Sequence, residues 1–519
     1  MSESAARYVT SAIGQFTHWG ERLAVTCAAG ALTFADLLAD AHRIARVLAH
    51  AGLRRGDGLA LLAGNPPEVI TASLACALLG VRFTPVYLGR ASEPIEHVLR
   101  DAAPSAVVFD PARPTGPAGP IAELAHRVGI PHVFSLGPVP GVPDLRTAAA
   151  AESGDPLPVS ATEESMARLL YTGGTTGAPK GVPYTFGQLT AAAAAQGGGP
   201  PPPPGLRFVV ATPFAHAAGN IAFGLLRGGA TVELLDDFDA GELLSRIATA
   251  SAEGYPIATY LYPPYLYQLL DHPALGSTDL SALAFVAYGS SPVSPPRLAE
   301  AIKVLGPILR QGYAQTEAIG IASLGPGDHA EAIAGRPELL SSVGRALPGV
   351  TIRVAGADGG KLAAGQIGEI LVAGPTVMSG YWNRPDLTAG AMTGEFLRTG
   401  DLGHLDADGY LYLAGRIKTM VIVNGHNCYV QPIEDALAAH PAVRQVAVTG
   451  VPDEHTGEAL VAFVIADPDA DAGQLRDHVS TQLGEIYAPA EIVFVPEFPV
   501  TSLGKADTKT LRAAFLATH

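Results

Sequence analysis

An α/β fold is predicted by three features of the chain. Short apolar strands alternate with helical stretches over residues 32–150 and again over 209–324, the pattern turns β-rich after about residue 340, and the last hundred residues carry strands and helices of their own. In order, residues 59–62 read as a strand, 67–79 as a helix and 81–86 as the next strand, the rhythm of a parallel sheet covered by helices. Residues 191–205, alanines and glycines followed by a proline run, are low in complexity and read as a flexible surface loop, with a polyproline ligand as the competing reading. Strands at 350–354 and 367–372 begin the β-rich part, and residues 405–413 form a hairpin turning at Asp408-Gly409. The final unit has strands at 443–449, 461–465 and 492–495, with a helix at 472–483 between the last two and a short terminal helix after Lys505. No repeat at solenoid spacing is found.

Length and composition bound the function. The 519 residues allow two or three domains, and 48% apolar against 16% charged residues excludes a mainly disordered chain. A net charge of −16, from 33 basic and 49 acidic residues, argues against nucleic acid and anionic membranes as partners. Small anions are still compatible, because a few placed lysines bind them inside an acidic protein. Cys27, Cys76 and Cys428 lie far apart without metal-ligand spacing and read as buried thiols in a reducing compartment. With no basic-then-apolar start and no apolar run of membrane length, a cytoplasmic protein is expected.

One segment carries more chemistry than the rest. Thr172-Gly-Gly-Thr-Thr-Gly177, followed by Lys180, comes after the apolar strand 166–170. Gly173, Gly174 and Gly177 permit positive φ and let backbone N–H groups point at an anion; Thr172, Thr175 and Thr176 add hydroxyl donors, and Lys180 adds charge. It is not a Walker loop, since Pro179 precedes the lysine and Gly181 follows it. A plain surface turn is the competing reading of this segment taken alone.

The segment resembles the phosphate loop of the adenylate-forming superfamily, which includes acyl-CoA synthetases, the adenylation domains of nonribosomal peptide synthetases and beetle luciferase. Four more of the family's signatures follow in family order: Gly312-Tyr-Ala-Gln-Thr-Glu317, Thr399-Gly-Asp401, Gly415-Arg-Ile-Lys418 and Pro499-Val-Thr-Ser-Leu-Gly-Lys505. The resemblance covers nearly the whole chain. It implies a large N-terminal domain (1–416) of two doubly wound α/β subdomains plus a β-rich subdomain. A small mobile α+β domain (417–519) would rotate about a hinge at Lys418.

It also implies a chemistry, AMP-forming activation of a carboxylic acid with ATP and Mg2+, then transfer to CoA. Activation needs charge neutralisation and in-line positioning while the carboxylate attacks the α-phosphorus and pyrophosphate leaves. By the resemblance, Glu317 holds the magnesium, Thr316 touches the α-phosphate and Tyr313 lies against adenine. Asp401 takes both ribose hydroxyls, Arg416 reaches ribose or phosphate, and Lys505 bridges carboxylate and α-phosphate during adenylation. His216 is the gate between the acyl pocket and the thiol tunnel, with a core histidine as the competing reading, and Gly425 lines that tunnel after rotation. The acyl pocket is expected around His216, Gly219, Asn220, Tyr288, Gly289, Ser290, Ala314, Gly320 and Ile321.

Amino-acid-activating members place an aspartate just beyond the phenylalanine of this region, whereas here Phe214 is followed by Ala215 and His216. That disfavours an α-amino acid, and the small Ala217, Ala218, Gly219, Gly289 and Gly320 leave room for a bulky neutral acid: fatty, aromatic or terpenoid. Gly173 stands where the family commonly has serine, and Thr419 where aspartate often follows the hinge lysine. These departures keep open an enzyme that mainly forms thioesters from a supplied acyl-adenylate. An acyl carrier protein as acceptor, a luciferase-like oxygenase and a nucleotide-binding protein without catalysis stay open too, and a homodimer is compatible.

Overall fold

The computed structural model describes residues 4–87, 95–113, 121–172, 178–196, 201–453, 455–499 and 506–518. Strand Gly58–Ala63 is buried along its whole length, as a strand covered on both faces must be. It lies inside a six-stranded sheet ordered His132–Ser135, Ala106–Phe109, Gly58–Ala63, Arg82–Tyr87, Met166–Tyr171 and Gly181–Thr185. The neighbours are parallel up to Met166–Tyr171, which then folds back antiparallel on Gly181–Thr185. The phosphate-loop segment is therefore the connection of an edge hairpin.

A nine-stranded sheet runs from Arg345–Ala346 through Ala318–Leu324, Leu309–Gln315, Leu283–Gly289, Ile257–Leu261, Arg207–Val210 and Thr231–Leu234 to Leu23–Cys27 and Gly30–Thr33. The N-terminal hairpin thus joins the far end of a sheet whose other strands come two hundred residues later. Thr33 ends that hairpin and caps helix Phe34–His50 reciprocally with Asp36. A third, antiparallel sheet contains Thr351–Ala355, Gly368–Ala373, Phe396–Leu405 and Leu411–Arg416. A fourth, built on Val443–Asp453 and Gly457–Ala466, carries Val421–Val423 and His426–Cys428 on one side and pairs parallel with Glu491–Phe494. The third sheet's last strand ends at Arg416 and the fourth sheet begins at Val421.

One expectation is corrected. Residues 191–196 are not loop but the second half of helix Phe186–Gln196. Alanine has the highest helix propensity, so the alanine run continues the helix. The helix buries Phe186, Leu189, Ala192 and Ala195. Low complexity misled because it measures variety, not propensity.

Candidate active site

Thr172 and Lys180 close the base of the edge hairpin. The Thr172 N–H donates to the Lys180 carbonyl at 3.1 Å, and the Lys180 N–H donates to Thr172 Oγ1 at 3.3 Å. Gly173, Gly174, Thr175, Thr176 and Gly177 lie outside the described residues. A segment from the β-rich part straps this base down. The Trp382 N–H donates to the Gly181 carbonyl at 2.8 Å, and its indole N–H donates to the Asp101 carbonyl at 3.0 Å. The neighbouring Tyr381 is thereby fixed over the lysine, with Lys180 Nζ at 3.2 Å from the phenol oxygen and 4.3 Å from the ring centroid.

Tyr381 in turn donates to Glu317 Oε1 at 2.8 Å. Burial, reinforced by the Glu317 charge, pushes this phenol well above its ordinary pKa, so it stays a donor. Thr316 and Glu317 form the two-residue tip between strands Leu309–Gln315 and Ala318–Leu324, with Gln315 and Ala318 paired below them. Tyr184, from the other large sheet, donates to the Thr316 carbonyl at 2.8 Å and fixes the tip. The chain Lys180–Tyr381–Glu317 thus joins phosphate loop, strap and hairpin tip. Sequence reading missed Tyr381; its only local signal is a turn-rich setting, Gly380 before it and Asn383-Arg384-Pro385 after it.

A second cluster surrounds Asp401. Strand pairing sets Asp401 opposite Arg416, whose Nε donates to Oδ1 at 2.8 Å. Tyr313 OH and Gln315 Nε2 each donate to Oδ2 at 2.6 Å. Asp401 is 4% exposed, whereas the Arg416 side chain is 62% exposed. A carboxylate offers about four acceptor positions, and three are occupied here. A ribose diol therefore fits once the exposed Arg416 swings outward. Tyr313 is tied to Asp401 through its hydroxyl, and burial raises its pKa. Gln315 is a further site residue that sequence reasoning left unassigned.

Both clusters face a single cleft of ≈ 3090 Å³. His216, Asn220, Tyr288, Ser290, Ala314 and Gly320 line it, as do Lys418, Asp507 and Lys509. Gly219, Gly289 and Ile321 are not part of that lining. A Cβ on Gly219 would sit 1.9 Å from the Phe214 carbonyl oxygen, so this glycine lets helix Ala217–Arg227 start against its own N-terminal turn. A Cβ on Gly289 would meet the Gly312 carbonyl oxygen at 2.6 Å, and Ile321 is wholly buried. Tyr288 forms wall and offers the cleft no free donor, because its hydroxyl lies 2.8 Å from Nε2 of the buried His329 and 3.2 Å from Gln311 Oε1. His329 Nδ1 contacts the Gly325 carbonyl at 2.7 Å, which sets the ring to accept from Tyr288, and burial lowers its pKa.

Gly425 lies at a hairpin tip between Val421–Val423 and His426–Cys428 and does not line the cleft. Asn424 and Gly425 have φ of 50° and 78°, the two positive values of a type I′ turn. Lys505 lies outside the described residues. Among the described residues, no group of three or more His, Cys, Asp or Glu could hold a metal ion. Magnesium nonetheless fits Glu317, since this ion is commonly bound by one or two carboxylates together with substrate phosphates.

The model of the AMP-binding enzyme family matches residues 14–382. This chain belongs to that family. The family's C-terminal domain model matches residues 432–505. Among curated relatives, the medium/long-chain-fatty-acid–CoA ligase FadD8 of Mycobacterium tuberculosis is 37% identical over 483 residues, covering 89% of this chain and 82% of the relative. A feruloyl-CoA synthase of Amycolatopsis sp is 33% identical over 493 residues, covering 93% and 94%. Among solved structures, amide bond synthetase McbA from Marinactinospora thermotolerans is 36% identical, covers 99% of this chain and 100% of its own, and superposes with a TM-score of 0.85. The AMP-binding enzyme described here is accordingly a member of the adenylate-forming superfamily, α/β in fold with a large N-terminal and a small C-terminal domain, and an AMP-forming acid–CoA ligase by class. Among its described residues, no helix is long and apolar enough to cross a membrane.

Proposed function

We propose that this enzyme activates a bulky, largely apolar carboxylic acid as its acyl-adenylate and passes the acyl group to the thiol of CoA. The observation that carries the reading is the convergence of the Asp401 cluster and the Lys180–Tyr381–Glu317 chain on one cleft that also contains His216 and the small Ala217, Ala314 and Gly320. Asp401 takes the ribose, while Lys180 and Thr172 hold phosphate oxygens. Glu317 would hold magnesium, which when bound offsets charge on the phosphates. A carboxylate oxygen attacks the α-phosphorus and pyrophosphate leaves; Lys505 stabilises charge in that step. The thiol, losing its proton, then attacks the acyl carbon and AMP leaves. Lys418 is the hinge that brings the second face of the small domain, with Gly425, to the cleft. The wall of His216, Ala217, Asn220 and Ile221 holds no carboxylate to pair a substrate ammonium, which supports an acid other than an α-amino acid.

A second reading concerns the acceptor. The near-full-length similarity to an amide bond synthetase favours testing an amine in place of the thiol: its nitrogen would attack the same acyl carbon, lose a proton and expel AMP. Mass spectrometry of products from an acid panel with ATP and Mg2+ decides between acceptors, with CoA, holo carrier protein or an amine supplied separately. The thiol reading expects acyl-CoA at the highest rate. Amide formed faster than thioester overturns it while leaving adenylation intact.

A further inference from the structure

Helix Ala217–Arg227 and strand Met166–Tyr171 bring an arginine to the cleft that the adenylation chemistry does not use. Arg168 donates from Nη1 to Asn220 Oδ1 at 2.5 Å, and both residues line the cleft. No carboxylate of the described residues pairs with Arg168. Arg113, Arg146, Arg297 and Arg398 each reach a carboxylate within 3.1 Å, and Arg46, Arg54 and Arg82 donate to backbone carbonyls away from Asn220. A guanidinium has five N–H donors in a planar fork, and a single bond to an amide oxygen orients that fork without exhausting it. Further along the same helix, Arg227 is also held by neutral groups, its Nε donating to Gln15 Oε1 and its Nη2 to Ser11 Oγ, both at 3.0 Å.

The position of Arg168 gives its guanidinium a meaning. It lies four residues before Thr172 on the strand entering the phosphate loop, about 13 Å at the usual strand rise. Asn220 lies one helical turn beyond His216, about 6 Å along the helix axis. In the ligase reading proposed above the reacting carboxylate lies between Thr172 and His216, which sets Arg168 and Asn220 toward the far end of the acyl group. Between the two arginines, Phe223 stacks on Tyr8 with ring centroids 5.8 Å apart and planes 9° apart, an apolar stretch that also lines the cleft.

We propose that Arg168, oriented by Asn220, reads an oxygen acceptor at the distal end of the acid. The shared chemistry is a carbonyl or carboxylate oxygen roughly ten ångströms or more from the reacting carboxylate. This deepens the ligase reading and rests on it: the bulk of the acyl group is apolar, and its far end carries the acceptor. Arg168 and Asn220 are then specificity residues.

The test uses matched straight-chain acids of ten to fourteen carbons ending in a methyl group, a methyl ketone or a second carboxylate. Pyrophosphate release is read as kcat/KM, and binding of the same acids is read by calorimetry. The full-length enzyme is expected to favour an acceptor-ended acid over its methyl-ended partner at least ten-fold at the matching length. Preference for the ketone identifies a neutral acceptor, and preference for the diacid identifies an anionic one. Arg168→Leu should shrink that ratio at least ten-fold, whereas Arg168→Lys should retain part of it. Equal selectivity in wild type at every length overturns the proposal, as does a ratio unchanged in Arg168→Leu. A binding preference without pyrophosphate release would uphold the anchor and overturn the ligase reading.

Discussion

At the scale of single residues, Tyr381 is where the structure adds most. Its phenol joins a lysine of the phosphate loop to the carboxylate proposed to hold magnesium, so Tyr381→Phe removes one hydrogen bond to each charged group and leaves the ring in place. Hydrogen bonds to charged groups contribute about 1.5–3 kcal/mol, so adenylation is expected to slow roughly ten-fold or more. The apparent magnesium requirement should rise; titrating magnesium at saturating ATP and acid checks it. Asp401→Ala leaves Tyr313 and Gln315 without their shared acceptor as well as removing the ribose ligand. We therefore expect a higher KM for ATP together with a lower Tm, whereas loss of ribose contact alone would leave Tm unmoved.

The residues legible in the sequence at this scale were those in short signatures, such as Glu317, Asp401 and Lys180. Tyr381 was not, because its role depends on a strap joining residues two hundred positions apart. Nor was the packing duty of Gly219, which is set by the Phe214 carbonyl oxygen and not by any neighbouring substrate.

At the scale of elements, strands and helices with clear periodicity were legible: helix Ala472–Leu483 falls where the pattern puts it. Helix Phe186–Gln196 was hidden by its lack of sequence variety, and the hairpin tip at Thr316-Glu317 by motif residues that also serve as a turn. The Asn424-Gly425 tip carries a known hairpin signal, and it changes how Gly425 should be tested. Leucine at φ 78° adds backbone strain of about 1–2 kcal/mol beside any obstruction of a thiol tunnel. Gly425→Asn, which tolerates this conformation, is the needed companion. Thioester formation should fall in both Gly425→Leu and Gly425→Asn with adenylation retained; a loss confined to Gly425→Leu would mark backbone strain instead of obstruction, and equal loss of the two half-reactions would remove Gly425 from the tunnel.

Helix Val430–Ala438 carries two carboxyls whose pKa values burial raises, Glu434 to about 8 and Asp435 to about 6. Glu434 accepts the Val448 N–H at 2.8 Å, which opposes but does not cancel the desolvation. The folded state therefore holds these protons more tightly than the unfolded chain. Their contribution is intact below the ordinary carboxyl range and is lost as pH rises, for Glu434 between 4.5 and about 8. A thermal melt series across that window should show Tm falling with pH in the wild type and a shallower fall in Glu434→Gln.

At the scale of the whole molecule, the alternation of strands and helices disclosed the α/β class, and the five ordered signatures disclosed the family. Joining residues 23–33 to a sheet built mainly from residues 207–346 was not legible, because long-range strand order leaves no local trace. The proposed rotation about Lys418 predicts separable half-reactions. Lys505→Ala should slow adenylation at least ~100-fold, the scale of one preorganised electrostatic group, while sparing thioester formation from a synthetic acyl-adenylate. Equal loss in both would make Lys505 structural.

In the proposed reaction a carboxylate oxygen becomes bonded to the α-phosphorus of ATP, and the fate of that oxygen can be followed by isotope. With an acid labelled by oxygen-18 at both carboxyl positions, turnover with ATP and CoA should yield AMP carrying one labelled oxygen, unlabelled pyrophosphate and an acyl-CoA retaining the other. Label appearing in inorganic phosphate with ADP as co-product, or AMP formed without label, would contradict the account.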